Sequence, residues 1–444
     1  MKLSRREIIG GTIGVAASSL LAESKSKGHA NSKTMIGVPF EKKETVRMGI
    51  IGCGLRAKSM IGDFLGIDGL EIVALCDNVP PNATECADLL TSAGRKRPDL
   101  YTDGDRAYEA LCRRGDLDLV YIATPWEWHA EQSIFAMEHG IHVGVEVPMA
   151  TTIDDLWKIV DVSERTRRHC IMLENCCFNY TELMVLNMVR DGVFGTLTHA
   201  EAAYIHDLRY IVNENRSEGL WRRAWHTKVD GNLYPTHGLG PVANYLDVNR
   251  GDSFDYMVSM SSPSKSLDVY REMTVAKESP KWREQYITGD MNTSLIKTSK
   301  GITIMLQHDV VTPRPYDRIN LIQGTKGIFR DFPQRIYIDG QEGGHRFTSL
   351  DTKREKYEHE LWKKLGEKAR GAGHGGMDFI MAWRLVQYFK DGLVPDIDVY
   401  DGAAWSAPFP LSAESVKKGS VPIKFPDFTR GLWKNGRATL QNQV

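Results

Sequence analysis

Several things are scarce in this sequence, and each scarcity excludes something. Lysine and arginine total 56 against 57 aspartate and glutamate, a formal net charge of −1 over 444 residues. With the two signs interleaved, the chain lacks the one-sided charge that nucleic acid or an anionic membrane would select. The weakly hydrophobic segment from Gly10 to Ala22 is too short for a membrane span, which needs roughly 20 residues. Cysteine is sparse: Cys53, Cys76, Cys86, Cys112, Cys170, Cys176 and Cys177 make 7, an odd number, with no metal-ligand spacing. That argues against a disulfide framework and against a metal site. There is no internal repeat, and no signature of a nucleophilic serine or cysteine triad.

What is present begins with an export signal. Ser4-Arg5-Arg6-Glu7-Ile8-Ile9, followed by the Gly/Ala/Ser-rich segment, reads as a twin-arginine leader over residues 1–30. Gly28-His29-Ala30 offers a small-x-small cleavage site, and Leu20-Leu21-Ala22 a poorer one. No cysteine follows to carry a lipid anchor. The expected destination is the periplasm or the exterior, reached by a route that carries folded proteins with their cofactors. Free thiols fit folding in the reducing cytoplasm before export.

After a polar linker, residues 31–44, strand and helix patterns alternate. Val46–Ile51, Leu70–Asp77, Asp118–Pro125, His142–Pro148 and Cys170–Glu174 read as strands; Glu127–His139 and Thr152–Arg167 read as helices. This alternation predicts an α/β fold whose first part, residues 45–178, is a doubly wound Rossmann domain. The pattern changes near Leu197. Strand-like runs at Leu197–Tyr204, Met257–Ser261, Ser294–Lys297, Ile302–Leu306 and Ile319–Gln323 precede a helix at Met377–Asp391 and a Pro-rich tail. Residues 179–444 are therefore expected to form an α+β domain with a largely antiparallel, open sheet, one able to pair with a second copy.

The motif with the clearest chemistry is Gly52-Cys53-Gly54-Leu55-Arg56-Ala57, which follows an apolar strand and opens a helix. Gly52 permits the tight turn. Gly54 lets a dinucleotide's pyrophosphate approach the helix N-terminus. Asp77 ends the second strand, where an acid meets ribose hydroxyls and favours NAD over NADP; a turn-capping carboxylate is the alternative. Trp126, Glu127, Trp128 and His129 end a later strand and wall the expected cofactor site, unless the tryptophans are core aromatics. Glu146-Val147-Pro148 ends the next strand, near the expected nicotinamide. An NAD fold behind an export leader poses a problem, because soluble NAD is scarce outside the cytoplasm.

The chain resembles the glucose–fructose oxidoreductase superfamily, with two departures. Val147 stands where that superfamily usually has the Lys of Glu-Lys-Pro, and Leu233 stands where it favours an Asp four residues before a catalytic His. A narrower resemblance rests on several motifs together: Thr124–His129, Glu174-Asn175, His206-Asp207-Leu208-Arg209, Tyr234-Pro235-Thr236-His237-Gly238 and Gly373-His374-Gly375-Gly376-Met377-Asp378. Over about Val46 to Trp433 these are similar to glycoside hydrolase family 109, the NAD-dependent α-N-acetylgalactosaminidases. The resemblance implies that Leu55, Arg56, Asp77, Trp126 to His129, Glu146, Val147, Asn175 and Tyr234 contact NAD. It implies that Tyr204, Arg222, Tyr234, Pro235, Thr236, His237 and Tyr316 line the sugar pocket.

It also implies a reaction. NAD takes a hydride from C3 of the sugar, the C2 proton becomes acidic, and the C1 leaving group is eliminated. Water adds at C1 and the hydride returns, with net retention. NAD-dependent glycosidases stand outside the usual two-carboxylate scheme. Proton movement near neutral pH suits histidine. His237 is the expected catalytic group, assisting deprotonation of the C3 hydroxyl or stabilising the ketone; Tyr234 shares or relays the proton. Otherwise His237 is a structural histidine in a loop. Arg223 competes with Arg222 on sequence alone. His206-Asp207 reads either as an acid–base pair or as a strand end. The Gly373–Gly376 loop lets a backbone pass close to the sugar or to the other domain. The competing activity is a periplasmic sugar oxidoreductase, and a non-catalytic sugar binder is the third reading. A cofactor reduced and reoxidised within each turnover needs no external supply, which reconciles the leader with the fold.

Overall fold

A computed structural model describes residues 34–341 and 344–435. The twin-arginine leader, including both cleavage candidates, lies outside them.

Six strands form the first sheet: β1 (Val46–Ile51), β2 (Leu70–Cys76), β3 (Asp99–Tyr101), β4 (Leu119–Ile122), β5 (His142–Val145) and β6 (Cys170–Met172). Their order is β3-β2-β1-β4-β5-β6, and every pair is parallel. The apolar runs of β1, β4 and β5 are almost wholly buried, as a parallel sheet covered on both faces requires. The strand order reverses between β1 and β4, so a crevice opens beyond their carboxyl ends.

The second sheet has eight strands: β7 (Leu197–Ile205), β8 (Phe254–Ser261), β9 (Asn292–Thr298), β10 (Thr303–Asp309), β11 (Leu321–Gly324), β12 (Gly327–Arg330), β13 (Arg335–Ile338) and β14 (Ile423–Lys424). Its order is β13-β12-β11-β7-β10-β9-β8-β14, antiparallel except for β7 beside β10. The helix Thr236–Tyr245 packs on β7 and the helix Pro408–Lys417 on β8. The opposite face alternates outward, with Leu295 and Met260 more than half exposed.

The fold class is as the sequence predicts, with local differences. The expected linker is partly core: Met35 and Phe40 are buried, and the Phe40 ring stacks on His169 at 4.0 Å. The expected Pro-rich tail holds the helices Val399–Ser406 and Pro408–Lys417, and Pro408 sits in the first turn, where a missing N–H costs nothing. The same device opens the helix Pro80–Ser92. The expected Glu127–His139 helix begins as a 3-10 turn at Trp126–Trp128 and is α-helical over His129–Glu138. The helix Met377–Asp391 lies against the helix Leu55–Leu65 of the first sheet. That contact ties the late sequence to the cofactor end of the cleft.

Candidate functional site

A cavity of about 900 Å³ runs from the carboxyl ends of β1 and β4 to the start of the helix Thr236–Tyr245. At the first end Gly52 has φ +91°, and a Cβ there would lie 2.7 Å from the Ala123 carbonyl. Only glycine fits. Gly54 differs: a Cβ would meet no atom within 4 Å, and the residue precedes the helix Leu55–Leu65 at the cavity wall. The missing side chain leaves the helix N-terminus bare to the cavity, a cradle that suits a pyrophosphate.

Asp77 caps its turn, one of the two roles read from the sequence, and stands where the other would be exercised. Its oxygens accept from Cys53 N at 2.8 Å, Val79 N at 2.8 Å and Asn82 Nδ2 at 3.3 Å, so it caps the turn. It also lines the cavity. A carboxylate has about four acceptor sites, which leaves room for a ribose hydroxyl.

Among the next group, Trp126, Trp128 and His129 line the cavity; Glu127 is exposed and does not. Both ring nitrogens of His129 meet backbone carbonyls, Pro148 O and Thr124 O, each at 2.8 Å. That fixes the wall where two strands end. Trp126 also packs edge-on to Trp221 at 4.9 Å and to Phe409 at 5.8 Å, so it is core and wall together.

Under the middle of the cavity lies a charged network. Glu146 accepts from Arg56 Nε at 2.7 Å and from Tyr121 OH at 2.8 Å. Arg56 Nη1 and Nη2 donate to Asp378 at 2.6 and 3.1 Å. Asn175 Nδ2 donates to Asp378 at 2.7 Å, and His374 Nδ1 lies 2.7 Å from its other oxygen. Burial alone would raise the Asp378 carboxyl; His374 and Arg56 outweigh it and hold it well below the usual carboxylate range. In the sequence Asp378 stands only as the last residue of the Gly373–Asp378 motif, with no role of its own. The Gly373–Gly376 loop puts His374 in the cavity wall.

At the far end four side chains converge. The Tyr204 and Tyr234 rings lie 4.5 Å apart, and the His237 ring is 5.3 and 4.8 Å from them. The Arg222 guanidinium sits 5.4 Å over Tyr234 and 5.1 Å over Trp126, and pairs with Glu218 at 2.8 Å. Arg223 points elsewhere, to Glu284 and the carbonyls of Val212, Glu214 and Gly219, so the structure separates the two arginines. Burial raises both tyrosines and keeps them protonated. Pro235 and Thr236 are buried and do not line the cavity; they set Tyr234 and His237 on either side of a helix start. Tyr316, expected in the pocket lining, does not line the cavity: it lies 6.2 Å from Tyr204 and 5.0 Å from His206, with its hydroxyl accepting from Arg318 at 2.8 Å.

His237 Nδ1 lies 2.7 Å from Glu174 Oε1. Burial would raise the Glu174 carboxyl, but the nearby His237 and its hydrogen bond prevail and lower it. Glu174, Cys176 and His237 bring a carboxylate, a thiol and an imidazole within 4.8 Å, a grouping their sequence spacing hides. Within the group His237 Nδ1 is engaged by Glu174, and burial pushes the Cys176 thiol up.

The acid–base reading of His206-Asp207 does not survive. Asp207 is gripped by its neighbour Arg209, at 2.9 Å from Nε and 2.7 Å from Nη2, because a strand end followed by a short helix turns the two side chains together. His206 lines the cavity without it, its pKa pushed down to about 4 by burial and by Arg222. Val147 and Leu233, at the two superfamily departures, are both buried apolar residues. Leu233 packs with Trp126 and Phe409. Neither position can move a proton.

Comparison with known proteins agrees with this geometry. Residues 46–173 match the model for the oxidoreductase family with an NAD-binding Rossmann fold. Residues 178–435 match the glycosyl hydrolase 109 C-terminal domain. A glycosyl hydrolase family 109 protein of Solibacter usitatus is 54% identical, over 98% of each chain. An alpha-N-acetylgalactosaminidase of Shewanella oneidensis is 47% identical, over 94% of this chain and 92% of its own. Among solved structures, a levoglucosan dehydrogenase in complex with NADH and levoglucosan superposes with a TM-score of 0.67 at 19% identity, covering 86% of this chain and 100% of that one; it shares the fold. The chain belongs to glycoside hydrolase family 109, built on an NAD-binding Rossmann domain.

Proposed function

We propose that the protein hydrolyses terminal α-N-acetylgalactosamine residues by elimination and addition, with net retention at C1. The observation that carries this reading is the single cleft in which the bare helix N-terminus at Gly54 and the Tyr204–Arg222–Tyr234–His237 cluster share one wall. Bound NAD would supply reversible oxidation at C3 of the sugar. Gly54, Leu55, Arg56, Asp77, Trp126, Trp128, Glu146, Val147 and Asn175 are the residues that would hold it.

His237 presents Nε2 to the cavity, since Nδ1 is engaged, and there it takes and returns the proton of the C3 hydroxyl. Tyr234, protonated and 4.8 Å away ring to ring, donates to the same oxygen as charge develops. Arg222 holds the acetamido oxygen or a hydroxyl. Tyr204 packs against the sugar ring. Buried Val147, in place of a lysine, disfavours a free-running sugar oxidoreductase. A cofactor held through each turnover also suits export by the twin-arginine route to the periplasm or beyond, the destination we propose.

The test is turnover of 4-nitrophenyl α-N-acetylgalactosaminide in deuterated water. The expected result is released nitrophenol, no accumulation of NADH, and deuterium at C2 of the product. Full turnover with protium retained at C2 would reject the elimination route. His237→Ala should lose about 10²–10⁴ in kcat while still retaining NAD; near-normal turnover would remove its assigned role.

A further inference from the structure

Glu174 is more than a structural carboxylate. Its side chain is wholly buried, and among the described residues its ion-pair partner is His237 alone. A carboxylate taken out of water must be satisfied or it destabilises the fold. Here His237 at 2.7 Å and the Cys176 backbone N–H at 3.1 Å both serve Oε1, while Oε2 has no hydrogen-bond partner among the described residues. The close approach is built in: a Cβ on Gly240, one turn along the His237 helix, would lie 2.9 Å from Glu174 Cγ. Glycine lets that helix rest on the Glu174 turn.

We propose that Glu174 is the positioning residue of His237: its carboxylate holds the proton on Nδ1 and turns an unprotonated Nε2 into the cavity. The proposal rests on His237 being the proton-moving group of the proposed reaction. The other groups facing His237 cannot substitute for the charge. Tyr204 from β7 and Tyr234 from its own loop are held protonated, as is the thiol of Cys176 beyond β6, and His206 just past β7 is held neutral. Arg222, near Tyr234, is neutralised by Glu218, and Glu146 by Arg56. Glu174 both selects the tautomer that can accept a proton and stabilises the imidazolium that results, a division of labour known from other histidine–carboxylate pairs.

The test compares the parent with Glu174→Gln and Glu174→Asp by nitrogen-15 NMR of histidine-labelled protein, the His237 signal being assigned with His237→Gln. In the parent, Nδ1 should carry the proton and Nε2 none at neutral pH. In Glu174→Gln the amide can donate instead, and a population protonated at Nε2 should appear. On 4-nitrophenyl α-N-acetylgalactosaminide that variant should lose at least about 100-fold in kcat, with KM changed by less than about threefold. The acid limb of its kcat/KM profile should move to lower pH, because an imidazolium there would lose the neighbouring carboxylate. Glu174→Asp should restore the Nδ1 tautomer and part of kcat. An unchanged tautomer and acid limb in Glu174→Gln would overturn the proposal. If that variant does not fold, the parent spectrum decides, and a proton on Nε2 there would equally overturn it. Should the parent show the expected tautomer yet cleave nothing, the assigned activity fails and the pairing stands.

Discussion

The guanidinium of Arg56 holds both carboxylate oxygens of Asp378, joining a residue two positions past the Gly-x-Gly turn to a helix more than 300 positions later, the nearer contact being 2.6 Å. Arg56 also holds Glu146, so one side chain connects the nucleotide turn, the end of β5 and the helix Met377–Asp391. Asp378→Ala leaves Arg56 with one partner and removes the acceptor of Asn175 and His374. Breaking a buried pair from one side typically costs about 3–5 kcal/mol. Asp378→Ala should therefore shift the urea midpoint sharply downward and weaken NAD binding by calorimetry. A parent-like midpoint would show that the network does not tie the helix Met377–Asp391 to the first sheet.

Arg222 and Lys are not interchangeable at the sugar end. The guanidinium sits 5.1 Å over Trp126 and 5.4 Å over Tyr234 while pairing with Glu218, a set of contacts an ammonium cannot reproduce. Arg222→Lys should raise KM for the nitrophenyl substrate by about tenfold or more, since about 1.4 kcal/mol of binding is a factor of ten, with a smaller change in kcat. The control is Arg223→Lys, whose contacts lie outside the cavity and which should leave KM alone. Equal effects in both variants would dissolve the distinction.

How much of this was legible beforehand depends on how local each signal is. The Gly52–Ala57 turn, Asp77 and the strand ends are written in short contiguous motifs, and the structure gathers them along one cavity wall. Arg222 and Arg223 compete as residue types and motif spacing favours Arg222; folding then puts Arg222 in the cavity wall and brings Glu284 and three carbonyls to Arg223. Glu174 and Asp378 are the same kind of case. Each is an ordinary acid in sequence, and its meaning comes from a partner 63 or 322 positions away. β12 and β13 escaped notice because four-residue strands show too few alternations to register. The helix beginning at Pro408 lies in what reads as a Pro-rich tail, yet proline suits a helix's first turn, and the helix Pro80–Ser92 opens the same way.

Buried imidazoles give the fold an acid-side weakness. Burial depresses His226 to about 3 and His169 to about 4, and depresses His206 to about 4 as well. Each stays neutral when folded but takes a proton when unfolded, near the ordinary value of 6.5. The unfolded chain therefore binds more protons below that value, and stability falls as pH drops from about 6.5 toward 4, by about 1.4 kcal/mol per unit for each such group. Denaturation midpoints measured from pH 8 to 4 should show this slope. It should lessen by about one proton in His226→Gln. Asp378, whose carboxyl is depressed, contributes in a lower window: its share is complete above the unfolded carboxylate value of 3.8 and is lost below it. A flat profile between pH 6.5 and 4 would contradict the burial of these rings.

Gly52 and Gly54 stand two residues apart and should fail in opposite ways. A methyl on Gly52 meets the Ala123 carbonyl at 2.7 Å, from a backbone at φ +91° that side chains rarely adopt. Gly52→Ala should therefore lose stability whether or not NAD is present, by about 1–3 kcal/mol from the conformation before any clash. A methyl on Gly54 meets no protein atom and enters the space over the helix N-terminus. Gly54→Ala should melt like the parent once NAD is removed from both, and bind NAD more weakly by calorimetry. It should also lose the part of its melting temperature that bound NAD contributes, because a ligand stabilises only by its occupancy. If Gly54→Ala binds NAD like the parent, the cradle is not where the pyrophosphate rests.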